Sequence, residues 1–169
     1  MMKSKLKYLT LILSSVVLLV SSLAQSNINT VIIDVVEDSY VVANLTDPED
    51  TQGLRGTNYG SLEFLKTWYA FEVQADERLI SVDLVKFDLE ELVGKDIESA
   101  FVQLYAIKAD ITEIMRHVDV HLVVEQWSES DVTYNTRPAW NPGPIATAAV
   151  YGAGGWYSWN TTGTVESAV

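Results

Sequence analysis

The side chains best suited to hold a ligand in this chain are its aromatics and its scarce cations. Five Trp and eight Tyr occur in 169 residues, while only eleven Lys and Arg face 23 Asp and Glu. Sugar rings present C–H faces that stack on exposed aromatic rings, and Arg, Asn and carboxylate groups bond the hydroxyls. Trp68, Tyr69, Trp140, Trp156, Tyr157 and Trp159 fall at expected strand ends or beside Gly-rich turns, where such platforms form. Arg55, Lys66 and Arg137 stand out in so acidic a chain, and each could neutralise an acidic sugar such as a uronate. With Tyr59 of the loop around Gly56–Ser61, the expected carbohydrate contacts are Arg55, Tyr59, Lys66, Trp68, Tyr69, Arg137, Trp140 and Trp156. Burial competes for the same residues. Trp127 reads as a core anchor, and about half of the remaining aromatics are expected inside. Arg137 is expected to partner Glu129.

Other chemistries find less support. There is no Cys, no G-x-S-x-G elbow and only two His, so covalent hydrolysis lacks its nucleophile and base. Gly152-Ala-Gly-Gly155 lacks the Lys and Ser/Thr of a phosphate loop. His117-Val-Asp-Val-His121 is the sharpest metal candidate. On a strand its three polar side chains share a face, with neighbours about 6.7 Å apart and the histidines about 13 Å apart. Two neighbours could share an ion; all three could not without a bulge, and a solvated face is the simpler reading. Asp47-Pro-Glu-Asp50, with Asp34, Glu37 and Asp38 close in sequence, offers oxygen ligands on a flexible loop, which suits a structural calcium. No EF-hand spacing is present. Paired carboxylates for glycoside cleavage are too abundant here to be informative.

These side chains must be positioned by strands. Val118, Val120, Leu122 and Val124 alternate with polar residues, and Val132-Thr-Tyr134 is a second strand-like run closed by Asn135-Thr-Arg-Pro138. Thr30–Val36 and Ser39–Leu45 read as opening strands, Leu62–Val73 as a strand or strand pair, and Leu79–Phe87 as another. Thr46–Gly60 is the longest surface loop expected. Asp88 to Leu92 reads as one helical turn capped by Asp88 and stopped by Gly94. Ile97–Ile107 is apolar on both faces, which predicts an inner strand covered on both sides. Ala146–Tyr151 and Trp156–Trp159 complete the set. Many short strands with regular turns predict an all-β, jelly-roll-like antiparallel sandwich.

The ends and the charge bound the setting. Lys3, Lys5 and Lys7, the apolar run Leu9–Leu23 and Ser22-Leu-Ala24 read residues 1–26 as a secretion signal or N-terminal anchor outside the fold. Residues 27–169 then form the domain, and a secreted or cell-surface location follows. The whole chain carries −12; without the three leader lysines, eight cations face 23 acids, a net −15. That balance argues against nucleic acid and anionic membranes. The absence of Cys leaves the fold to its core. Asn44-Leu-Thr46 and Asn160-Thr-Thr162 are glycosylation sequons.

The run W-x-E-x-x-V-T-Y-N-x-R-P at Trp127–Pro138 resembles the signature of DNRLRE-type (disaggregatase-related) domains, and with them carbohydrate-binding module family 96. Asp38-Ser-Tyr-Val41, Gly56-Thr-Asn-Tyr-Gly-Ser61 with Leu65, and Phe87-Asp-Leu89, Gly94, Ile97-Glu-Ser-Ala100 and Leu104-Tyr105 follow in the same order. Tyr134 stands where a Trp is more usual. The resemblance implies an extracellular, non-catalytic β-sandwich that binds polysaccharide or a cell-surface glycan. Related domains continue past the point matching Val169 with a short helix and a closing strand. A C-terminally incomplete sandwich is therefore expected, and Thr162–Val169 looks like the start of that helix. An open edge suggests the alternative of a structural surface or filament subunit, completed by a strand-donating partner or by self-association. A small polysaccharide-cleaving enzyme is a third reading.

Overall fold

A computed structural model describes residues 11–24, 27–67, 69–72, 77–108 and 115–169, with side chains for 30–67, 78–108 and 115–169. The strands are β1 (Leu11–Ala24), β2 (Asn27–Asn44), β3 (Leu65–Thr67), β4 (Tyr69–Glu72), β5 (Glu77–Phe87), β6 (Ile97–Lys108), β7 (Arg116–Val120), β8 (Ala146–Val150) and β9 (Gly155–Asn160). A short helix, α1 (Thr162–Glu166), lies within Thr162–Val169, the stretch that the family resemblance reads as the start of a helix. One sheet runs in the order β4-β5-β2-β1-β6-β9, with β3 also pairing β1, and β7 and β8 form a two-stranded ribbon. All pairings are antiparallel. The architecture is an all-β sandwich, as expected.

The main core lies between the large sheet and the ribbon. Ala100, Val102, Leu104 and Ala106 of β6 meet Ile33 and Val42 of β2 and Trp159 of β9, with Val118, Val120, Ala146 and Ala148 packed from the ribbon. Trp159 is 1% exposed and donates its indole N–H to the Val118 carbonyl at 2.8 Å, so this aromatic belongs to the core. A second cluster, Val41, Leu84 and Val132 with Val82, Val123, Trp127 and Tyr134, sits where the 121–145 segment covers β2 and β5. Trp127 anchors there, as its size and amphipathic ring suggest.

Several expectations change. The two opening strands are one strand, because a bulge between Val35 and Glu37 absorbs a residue without breaking the ladder. The longest irregular connection is 121–145, not 46–60. In it, only the bridge Val123–Trp140 is strand-like, and Val132–Tyr134 enters a turn rather than a strand. Its carbonyls and amides are bound by turn bonds such as Val132 N to Ser128 O instead of a ladder. Strand β6 is internal, and among the described residues only one of its faces is sealed by packed core. Its other face carries half-exposed Phe101, Gln103 and Tyr105, and Ile107 is 40% exposed. The expected turn forms but is shorter, Glu90–Leu92: Leu89 takes the N-cap position without a side-chain cap bond, while the Asp88 carboxylate accepts from Glu90 N just before it and Gly94 follows at φ 75°.

The segment read as a leader takes part in the sheet of the full chain. Strand β1 lies between β2 and β6, pairing Val17–Ala24 with Asp34–Asn27 and Ile12–Ser22 with Lys108–Ile97. Among the described residues no helix is long and apolar enough to cross a membrane.

Candidate functional site

The signature segment is fastened to the sheet by polar contacts that its residue types dictate. Lys86 of β5 donates to Glu37 Oε2 and to the Trp127 carbonyl, both at 2.7 Å, and its ammonium lies 4.9 Å from the Trp127 ring centroid. Glu129 N donates to the same Glu37 carboxylate. The Lys86 bond is the chief reason that Glu37 ionises more readily than an ordinary Glu. Asn58 donates from one amide to the carbonyls of Glu129 and Val132, at 2.8 and 2.7 Å. Two residues on, Gly60 lies so close that an added Cβ would sit 2.2 Å from the Glu129 oxygen. The N-x-G loop and the W-x-E motif are therefore two halves of one joint.

This joint presents a cluster of cations and rings. Arg137 donates to the Tyr134 carbonyl at 2.5 Å, and its guanidinium carbon lies 3.8 Å from the Tyr134 ring centroid and 5.8 Å from that of Trp140. Arg55 approaches the same Tyr134 ring at 5.8 Å. Its Nη2 bonds the Asn44 carbonyl at 2.8 Å, its backbone N–H bonds Asp50 Oδ2, and its carbonyl accepts from Asn135 N. Arg55 Nε and Asp50 Oδ1 are buried without a partner. Trp140 is held by its bridge to Val123 and by the flanking bonds Val124 N to Ala139 O and Asn141 N to Leu122 O. Of five guanidinium donors on Arg137, one bonds the protein among the described residues. Arg137 thus turns toward Tyr134 rather than pairing with Glu129, because the turn at Thr133–Thr136 folds Tyr134 back beneath it.

The remaining expected contacts are scattered. Tyr59 stacks on buried Tyr40, with centroids 4.5 Å apart, and packs against the main core. Lys66 is half-buried in β3, and its backbone N–H bonds Asp83. Trp156 is 51% exposed on β9, where it meets Tyr105 edge-on at 5.4 Å. Trp68 and the side chain of Tyr69 lie outside the described residues. Sequence reasoning did not place Tyr134 in the cluster. Its position one turn before Arg137, inside a segment of turn residues, was the signal available.

The acidic residues do other work. The Asp47 carboxylate accepts from Thr51 N and Oγ1, and Asp50 closes the same loop on Arg55. His121 Nδ1 meets the Asn141 carbonyl, and Asp119 accepts from Thr147 across the ribbon. Among the described residues no three His, Cys, Asp or Glu side chains converge to hold a metal. Asp83, opposite Tyr40 in the register, accepts from the Thr67 hydroxyl. Although Asp83 as a residue is only half-buried, its Oδ1 is closed to solvent and has no partner. Burial pushes its pKa up to about 7, with nearby Asp38 adding to the rise. Asp38 is itself raised by burial and by Glu129. A carboxyl sealed in this way cannot reach a glycosidic bond.

Residues 29–169 match the sequence profile of Carbohydrate-binding module family 96. No curated protein and no solved structure matches the chain.

Proposed function

The chain belongs to carbohydrate-binding module family 96, and from that premise we propose that it is a non-catalytic module that binds an acidic glycan outside the cell. The observation that carries this reading is the convergence of Arg55 and Arg137 on Tyr134, with Trp140 alongside, in a chain of net charge −12. The free guanidinium donors form a planar fork that fits a carboxylate bidentately. Tyr134 holds the guanidinium in place, and the half-buried ring of Trp140 offers apolar surface to the sugar carbons beside that carboxylate. Lys66 and Trp156 lie outside this cluster, and Tyr59 packs on Tyr40 in the main core.

The test is calorimetric titration of the full chain with an oligouronate and with a neutral oligosaccharide of equal length, at two salt concentrations. Binding of the uronate that weakens as salt rises supports the reading. Equal binding of both sugars, without salt dependence, removes the acidic specificity.

A second reading has its own support. Strand β1 comprises most of the apolar run and the Ser22-Leu-Ala24 site of the expected export leader, and it fills the place between β2 and β6. Its removal would leave two facing edges ready to accept a strand, as a surface subunit assembled by strand donation requires.

A further inference from the structure

We propose a second glycan-binding surface, for an uncharged sugar chain, on the open face of strands β6 and β9, apart from the arginine cluster. This inference rests on the carbohydrate-binding reading and extends it to a second ligand class.

The register sets three rows across the two strands: Tyr105 beside Trp156, Gln103 beside Ser158, and Phe101 beside Asn160. Alternation puts all six on the face opposite the core, because their neighbours Val102, Leu104, Ala106 and Trp159 are buried. Trp156 is 51% exposed, and the edge contact from Tyr105 fixes the plane of its indole. Rings, amides and a hydroxyl therefore share one strip. Such a strip can stack one sugar and bond the hydroxyls of the next.

Charge separates the two surfaces. None of the six residues is ionisable near neutral pH, in a chain where one residue in five is charged. Continuing the middle row across β1 at Val17, the first charge met is Asp34 on β2. At about 4.8 Å per strand that is roughly 14 Å from β9. A uronate would find no counter-charge on this strip, and a neutral hexose needs none.

The test uses the full chain and two probes, cellohexaose and a hexameric oligouronate, against wild type, Trp156→Ala, Gln103→Ala and Arg137→Ala. Thermal melting checks that each variant folds. The inference expects wild type to bind both sugars. Trp156→Ala should weaken cellohexaose binding about tenfold or more, as loss of a central Trp contact does, with the uronate unaffected. Gln103→Ala, which leaves the indole in place, should weaken the same probe to a smaller degree. Arg137→Ala should do the reverse. If wild type binds the uronate but not cellohexaose, or if Trp156→Ala changes neither, the second surface is overturned while the acidic site stands. If Trp156→Ala weakens both sugars equally, the two surfaces are one, and the inference also falls. Concentration-dependent dimerisation abolished by Trp156→Ala, without cellohexaose binding, would make the strip a protein interface. Failure of wild type to bind either sugar overturns both readings together.

Discussion

The guanidinium of Arg137 lies 3.8 Å from the ring centroid of Tyr134, three residues earlier, and bonds that residue's carbonyl. The contact is local in sequence, yet it depends on a distant element. Asn58, more than seventy residues upstream, binds the Glu129 and Val132 carbonyls and so fixes the turn on which both residues stand. The ring orients the cation, and the turn orients the ring.

Substitution Arg137→Ala should therefore separate binding from folding. Loss of one half-buried hydrogen bond and a cation–ring contact costs about 1 to 2 kcal/mol of stability. The affinity for an oligouronate should fall more than tenfold, about 1.4 kcal/mol or more. Arg137→Lys keeps the charge but not the fork, and should recover only part of the affinity. Calorimetry beside thermal melting checks both quantities. Unchanged uronate affinity in Arg137→Ala would remove this residue from the site.

Gly60→Ala tests the joint itself. Its Cβ would overlap the Glu129 carbonyl oxygen and the Glu129 Cγ, at 2.2 and 2.6 Å, so backbone must move. Gly60 is buried, and about 2 to 4 kcal/mol of destabilisation is expected. Urea unfolding measures it. A neighbouring control, Gly56→Ala, meets nothing within 4 Å and should cost far less.

Asp83 predicts an unusual pH profile. Its pKa is raised from 3.8 to about 7 in the fold, so between those values the folded chain holds a proton that the unfolded chain has lost. Stability from this group is therefore greatest at low pH and declines as pH rises from about 4 toward about 7. The full displacement corresponds to roughly 4 kcal/mol at most. Asp83→Asn keeps an acceptor for the Thr67 hydroxyl without the charge. It should flatten the profile and raise stability at pH 8, measured by denaturant unfolding at several pH values. A wild-type profile rising across that window would show that Asp83 is ionised in the fold.

Removal of residues 1–26 tests the place of β1. In the full chain this strand satisfies backbone groups of both β2 and β6. A chain of residues 27–169 should then unfold at lower urea, or associate through its two freed edges. Addition of a peptide spanning Leu11–Ala24 should reverse either effect. A stable monomer with unchanged unfolding midpoint would show that the strand is dispensable, and would favour a leader lost on export. Light scattering with urea titration distinguishes these outcomes.

The sequon at Asn44 shows how tertiary structure edits a sequence signal. Asn44 is 2% exposed and its amide oxygen holds Thr46, so the folded state closes it to a glycan, whereas Asn160 is exposed. Sequence periodicity makes no such distinction, because it reports neighbours along the chain and not what lies above them.

What the sequence determined by itself was the set of strands with strong local patterns and the family signature. Alternation in β6, the bond from Glu90 N to Asp88 with Gly94 left-handed beyond it, and the order of motifs from Asp38 to Pro138 all follow from local sterics and hydrophobic spacing. Acidic composition likewise directed attention to Arg55 and Arg137. What only the tertiary structure decided was which side chains share a surface. Tyr134 joins the two arginines because a turn replaces the expected strand at Val132, and Trp156 separates from them because β9 pairs with β6 rather than with the 121–145 segment. Both faces of β6 are largely apolar, with Gln103 the exception between Phe101 and Tyr105 on the open one. Which face is sealed depends on where the β7–β8 ribbon packs, a contact between segments far apart in the chain that no local pattern encodes.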